Sequence, residues 1–129
     1  MKFISVEEFL EQDEKIQKIF IDWWKPSVGD LYCNLYNEQR DNILVINKVQ
    51  LDFFKTFSND IKKYGFPLLT EGQLRKFIEG KTNCKLNIGN ISKIINIYKK
   101  ELDIPYETDI LQAYWQIALE IAEECMGNE

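Results

Sequence analysis

The chain has 129 residues, of which 45% are apolar, 13% aromatic and 29% charged, with a formal net charge of −5. That length supports one hydrophobic core, so the reading is a single domain over residues 1–129, and the composition excludes a disordered chain, which needs low hydrophobicity with high net charge. No apolar run approaches the ~18 residues of a membrane span, and the start lacks the apolar stretch of a signal peptide, so a cytoplasmic protein that engages no membrane is expected.

Ser5-Val6-Glu7-Glu8 matches the S-x-x-E capping box and predicts a helix from Val6. Phe9, Ile16, Ile19, Phe20 and Trp23 then recur at helical spacing. Gln12 and Asp13 interrupt the stripe, which allows a break or second cap near Asp13. Pro26 ends the helical region by Trp24, because the residue before proline is pushed out of helical geometry, and Gly29-Asp30 supplies a turn.

Two runs rich in Leu, Ile, Val and Tyr, residues 31–36 and 43–48, flank a polar turn and predict a β-hairpin. Ile43-Leu44-Val45-Ile46 is apolar on both faces and reads as an inner strand covered on both sides. Leu51, Phe54, Phe57, Ile61 and Tyr64 line one helical face, although Phe53-Phe54 with its neighbours also allows an extended strand; the helix is preferred.

Thr70-Glu71-Gly72-Gln73 is a second capping box, with Leu69 and Leu74 placed for a hydrophobic staple. It predicts a short helix with Leu74, Phe77 and Ile78 on its core face and Gly80 closing it in the left-handed conformation. Ile88, Ile91, Ile95, Tyr98 and Leu102 predict a further helix before Pro105. A last one is expected from about Thr108 to Glu124, with Ile110, Leu111, Tyr114, Ile117, Ala118 and Ile121 on one side. The order is N-terminal helix, small antiparallel hairpin or sheet, then three to four helices packed on one face, an α+β fold.

The chain contains no histidine, the commonest general base near neutral pH and the commonest metal ligand. Ser-His and Cys-His dyads and H-E-x-x-H zinc sites are therefore excluded. Gly72, Gly80 and Gly89 are isolated and form no phosphate loop. Asp22 with Asp30, or Asp103 with Asp109, are loose spacings that read as caps or surface charges. Cys33, Cys84 and Cys125 are odd in number and far apart, so they read as reduced, largely buried thiols. The expectation is a protein without enzymatic activity, cofactor or metal.

Charge is unevenly spread: residues 1–47 carry a net −4, residues 48–100 a net +7 and residues 101–129 a net −8. The basic middle, with Lys62, Lys63, Lys99 and Lys100, either offers a cationic surface to RNA, a nucleotide or an acidic protein, or packs beside the acidic last helix and is neutralised. Glu120, Glu123 and Glu124 form the acidic solvent face of an amphipathic helix, the alternative being mimicry of nucleic-acid phosphates toward a basic partner. Trp23 continues the first helix stripe, which leaves Trp24 and Trp115 as the tryptophans placed for contact with a partner.

Trp23-Trp24-Lys25-Pro26-x-x-Gly29-Asp30-Leu31, Leu68-Leu69-Thr70-Glu71-Gly72-Gln73-Leu74-x-x-Phe77-Ile78 and Asp109-Ile110-Leu111-Gln112-Ala113-Tyr114-Trp115 occur in this order. The set resembles small accessory proteins of phages and prophages from low-GC Gram-positive bacteria, over roughly residues 5–125. The resemblance carries no catalytic or ligand residue with it. The family has no assigned activity; a small acidic domain without catalytic groups suits a non-enzymatic phage accessory protein that binds a host protein, such as an anti-defence, anti-CRISPR-like inhibitor, since binding needs only a shaped surface. The alternatives are a nucleotide- or RNA-binding module using residues 48–100, and a homo-oligomeric phage structural protein.

Overall fold

The computed structural model describes residues 2–34, 43–56, 62, 65–83 and 109–127. Its elements are α1 (Val6–Leu10), α2 (Glu14–Trp23), β1 (Leu31–Asn34), β2 (Ile43–Val45), α3 (Lys48–Thr56), β3 (Gly65–Pro67), α4 (Glu71–Thr82) and α5 (Ile110–Gly127). The fold is α+β, with helices at both ends of the chain order and an antiparallel sheet among them. The predicted helix over residues 88–102 lies outside the described residues, as do Cys84 and the remainder of the stripe from Phe57 to Tyr64. No helix among the described residues is long and apolar enough to cross a membrane.

The chain falls into two compact units, Ser5–Leu68 and Met1–Ile4 with Leu69–Glu129. In the first, the Ser5 hydroxyl accepts from Glu8 N at 3.1 Å while the Glu8 carboxylate accepts from Ser5 N, so the predicted capping box starts α1. The stripe does break near Asp13, whose carboxylate accepts from Lys15 N and caps α2. Gln17 Nε2 donates to Gln12 O at 2.8 Å and to Leu10 O at 3.4 Å, closing the gap between the two helices with polar groups the break leaves open.

The sheet has the order β2-β1-β3, antiparallel throughout, with Tyr32 opposite Leu44 on one side and Pro67 on the other. The hairpin pairing of β1 with β2 is as predicted, but the inner strand is β1, and β2 lies at the edge of the described sheet. Ile43 and Val45 are 45% and 54% exposed, so the apolar run does not mark a doubly covered strand. The cause is β3, a three-residue strand of Gly65-Phe66-Pro67 that carries none of the usual strand composition and pairs with the far side of β1. Pro67 fits there because it stands opposite Tyr32, whose polar groups point toward β2, so the ladder asks no N–H of it.

One face of the sheet is sealed by Phe9 of α1, whose ring stacks on Phe66 with centroids 4.5 Å apart and planes 4° from parallel. On the other face Trp24, Tyr32 and Ile46 form a buried cluster, with Trp23, Leu44 and Leu51 packed around it. Leu51 arrives on α3, which begins at Lys48 rather than Leu51 because Asn47 and Gln50 cap it reciprocally. Asn47 Oδ1 accepts from Gln50 N at 2.8 Å, and Gln50 Oε1 accepts from Asn47 N at 3.1 Å.

In the second unit, Phe3 pairs with Thr70 and Ile4 N donates to Leu69 O at 2.8 Å. The predicted Thr70 capping box is present, with Gln73 Oε1 accepting from Thr70 N at 3.0 Å. Gly80 does not close α4: the helix runs through it to Thr82, and Asn83 takes the left-handed position at φ 57°. Asparagine tolerates that region through its short polar side chain, and the Thr82 hydroxyl donates back to Ile78 O at 2.6 Å. Asp109 caps α5 by accepting from Gln112 N at 2.9 Å. Leu111, Tyr114, Ile117, Ala118 and Ile121 are buried as the stripe predicts; Ile110 is exposed instead, and Ala113, Trp115 and Ala122 widen the buried face against α4.

Candidate functional site

The junction between α2 and β1 organises the exposed edge of the sheet. Trp24 ends α2 in extended geometry, and its buried indole Nε1 donates to Asp30 Oδ2 at 2.9 Å; the same oxygen accepts from Ser27 N at 3.0 Å. These two bonds draw residues 25–30 into a tight loop that returns the chain beside Ile46. Gly29 N donates to Ile46 O at 2.8 Å, and Ile46 N donates to Asp30 O at 3.0 Å. Two residues of one strand thus stand opposite one of the other, a bulge whose first residue, Gly29, sits at φ 93°.

This bonding decides where the backbone of β2 points. Ile46 directs its N–H and C=O toward β1, so by alternation Leu44 does the same, while Ile43 and Val45 direct theirs away from the sheet. The other side of β1 agrees: Leu31 O accepts from Leu68 N at 2.9 Å, which leaves the polar groups of Tyr32 for β2. Beyond β2 no strand of the described residues stands. The Ile43 and Val45 side chains, half open to water, lie on the sheet face where Cys33 and Phe66 are covered; Val28, just before the bulge, is also exposed. The edge carries no lysine, proline or inward charge within β2, the usual guards against strand pairing.

The residues singled out from the sequence fall elsewhere. Trp24 is 1% exposed and Trp115 is 3% exposed, so neither presents a surface to a partner, and Trp23 rather than Trp24 is the half-buried member of the pair. Trp24 lies beyond the last helical turn, where extended backbone turns its ring from the neighbouring helix face into the core. Trp115 is buried because the apolar face of α5 is broader than a single stripe. Lys62 donates to Asp22 O, near the C-terminus of α2, at 3.1 Å, so it caps a carbonyl that the helix leaves open. Burial lowers its pKa, the Asp22 carboxylate raises it and Lys25 lowers it again. Lys63, Lys99 and Lys100 lie outside the described residues. Glu123 and Glu124 are exposed on α5, and Glu120 is half-buried.

A cleft of about 410 Å³ opens beside the N-termini of α4 and α5, lined by Lys2, Thr70, Glu71, Asp109 and Ile110 among others. Its caps are already engaged, Thr70 with Gln73 and Asp109 with Gln112, and Glu71 and Asp109 place negative charge where a helix start would otherwise attract an anion. Among the described residues, no three His, Cys, Asp or Glu side chains come together as a metal site. No protein-family model, curated protein or solved structure matches the chain.

Proposed function

We propose that the protein works without catalysing a reaction, by binding another protein, and that it is a phage or prophage accessory factor whose partner is a host protein, with inhibition of a defence system as its role. The observation that supports this reading is the exposed aliphatic edge of β2. Ile43 and Val45 keep about half their surface in water while Tyr32, Cys33 and Phe66 of the same sheet are buried. Edge strands with outward polar groups and apolar side chains are surfaces that proteins bind, because a partner satisfies both at once. The phage assignment rests on the three-segment sequence pattern alone.

The test is binding by tagged protein in a lysate of a low-GC Gram-positive host, repeated with the recombinant partner so identified. The expected result is one host protein retained at 0.5 M salt, on the order of the ionic strengths that strip phosphate contacts, and lost on Val45→Lys. Recovery of RNA or a nucleotide instead, released by salt, would overturn the reading in favour of a nucleic-acid-binding module.

A further inference from the structure

We propose that the outer edge of β2 binds by strand addition: an extended segment of the partner pairs with Ile43-Leu44-Val45 and places alternate apolar side chains beside Ile43 and Val45. This rests on the protein-binding reading and specifies its mode.

Three observations identify the occupant. The N–H and C=O groups of Ile43 and Val45 point outward, and only an extended backbone presents acceptors and donors at matching spacing. The exposed side chains on that edge are β-branched and stand on one face at a two-residue interval, which is the period of a strand and not of a helix. The patch is also small for a second copy: it consists of two side chains, Ile43 and Val45, 45% and 54% exposed, well short of the ~800 Å² per partner that a stable dimer buries. A strand needs less apolar area, because main-chain hydrogen bonds supply affinity and the side chains supply register.

The geometry also supplies a selective variant. Val45 stands in a non-hydrogen-bonded pair with Leu31, so Val45→Pro removes an outward N–H and leaves every bond of the β1–β2 ladder in place. Val45→Lys is the second variant, placing a charge on the edge without altering the backbone. Val49→Lys changes a 78% exposed aliphatic residue on α3 and serves as the control.

The probe is a capped peptide of alternating valine and threonine with a lysine at each end, titrated into isotopically labelled full-length protein and followed by NMR. The expected result is a set of amide shifts centred on Ile43, Leu44 and Val45, with slowed hydrogen exchange at Ile43 and Val45. Val45→Pro should weaken binding about tenfold or more, the loss expected from one edge hydrogen bond and an unpaired group; Val45→Lys should weaken it through the added charge and lost apolar contact, and Val49→Lys should not. Shifts elsewhere, or none at millimolar peptide, overturn strand addition, while the lysate experiment separately decides whether a protein is bound at all. Protection of the same amides in concentrated protein without peptide, with a doubled mass by light scattering, assigns the edge to a second copy and also overturns the proposal.

Discussion

The indole N–H of Trp24 donates to the carboxylate of Asp30, and this single bond ties the end of α2 to the start of β1 across a six-residue turn. Asp30 Oδ2 also receives Ser27 N, so one oxygen holds the loop from both directions. Removing it strands a buried indole N–H. Asp30→Ala should cost about 1–3 kcal/mol in urea unfolding, while Asp30→Asn, which keeps one oxygen acceptor, should cost less. Equal losses would mean that the carboxylate charge, and not the acceptor, holds the junction.

Gly29 and Gly80 make a matched pair with opposite expectations. A Cβ at either position meets no atom within 4 Å, so sterics from neighbours do not enter. Gly29 sits at φ 93°, and Gly29→Ala should destabilise by about 1–2 kcal/mol through backbone strain alone. Gly80 lies inside α4 with no positive φ, and Gly80→Ala should stabilise by about 0.5–1 kcal/mol by raising helix propensity. Thermal unfolding of the two variants reads both signs directly.

Tyr114 is fully buried on α5, and its hydroxyl has no hydrogen-bond partner among the described residues. Tyr114→Phe removes that desolvated group and should leave stability unchanged or raise it by up to about 1 kcal/mol in urea unfolding.

The same hydroxyl sets an alkaline limit. Burial pushes the Tyr114 pKa above its ordinary value of 10.0, reinforced by Glu71 and Glu79 and opposed by Arg75. Above pH 10 the unfolded chain therefore releases this proton before the folded one does, so ΔG of unfolding falls as pH rises from the unfolded toward the folded pKa. Tyr114→Phe should flatten that decline when urea unfolding is compared between pH 9 and 11, a window set by the ordinary tyrosine pKa of about 10. Tyr32, whose pKa burial also raises, contributes a further decline, and Lys62, whose pKa burial lowers, opposes it.

Thr70→Ala removes the hydroxyl that accepts from Gln73 N at the start of α4, and should lower stability by about 1 kcal/mol in urea unfolding. Gln73→Ala opens the other half of the same box, so the double variant should lose less than the sum of the two single ones.

Local chemistry was legible in the sequence wherever the cause was local. Ser5 with Glu8, Asp13, and Thr70 with Gln73 start helices where they were read, because a cap bonds within three residues and needs no distant partner. The β1–β2 pairing was legible for the same reason, two apolar runs separated by a polar turn. The Asn47–Gln50 cap and the left-handed Asn83 were equally local signals, overlooked beside the stronger patterns of Leu51 onward and Gly80.

What the sequence by itself determined is the α+β class, the helix starts, the hairpin pairing and the lack of any histidine-based chemistry. Only the tertiary structure decided which strand is inner and which is edge. Ile43-Leu44-Val45 looks like a covered strand until Gly65-Phe66-Pro67 pairs with the opposite side of β1, and that pairing joins residues more than thirty positions apart with no propensity to announce it. Packing against Tyr32 and Ile46 buries Trp24, while Ile43 and Val45 stay in water, so the apolar surface lies at the sheet edge and not at the tryptophans. A side chain's exposure is set by what the rest of the chain brings to it, which periodicity along one segment does not record.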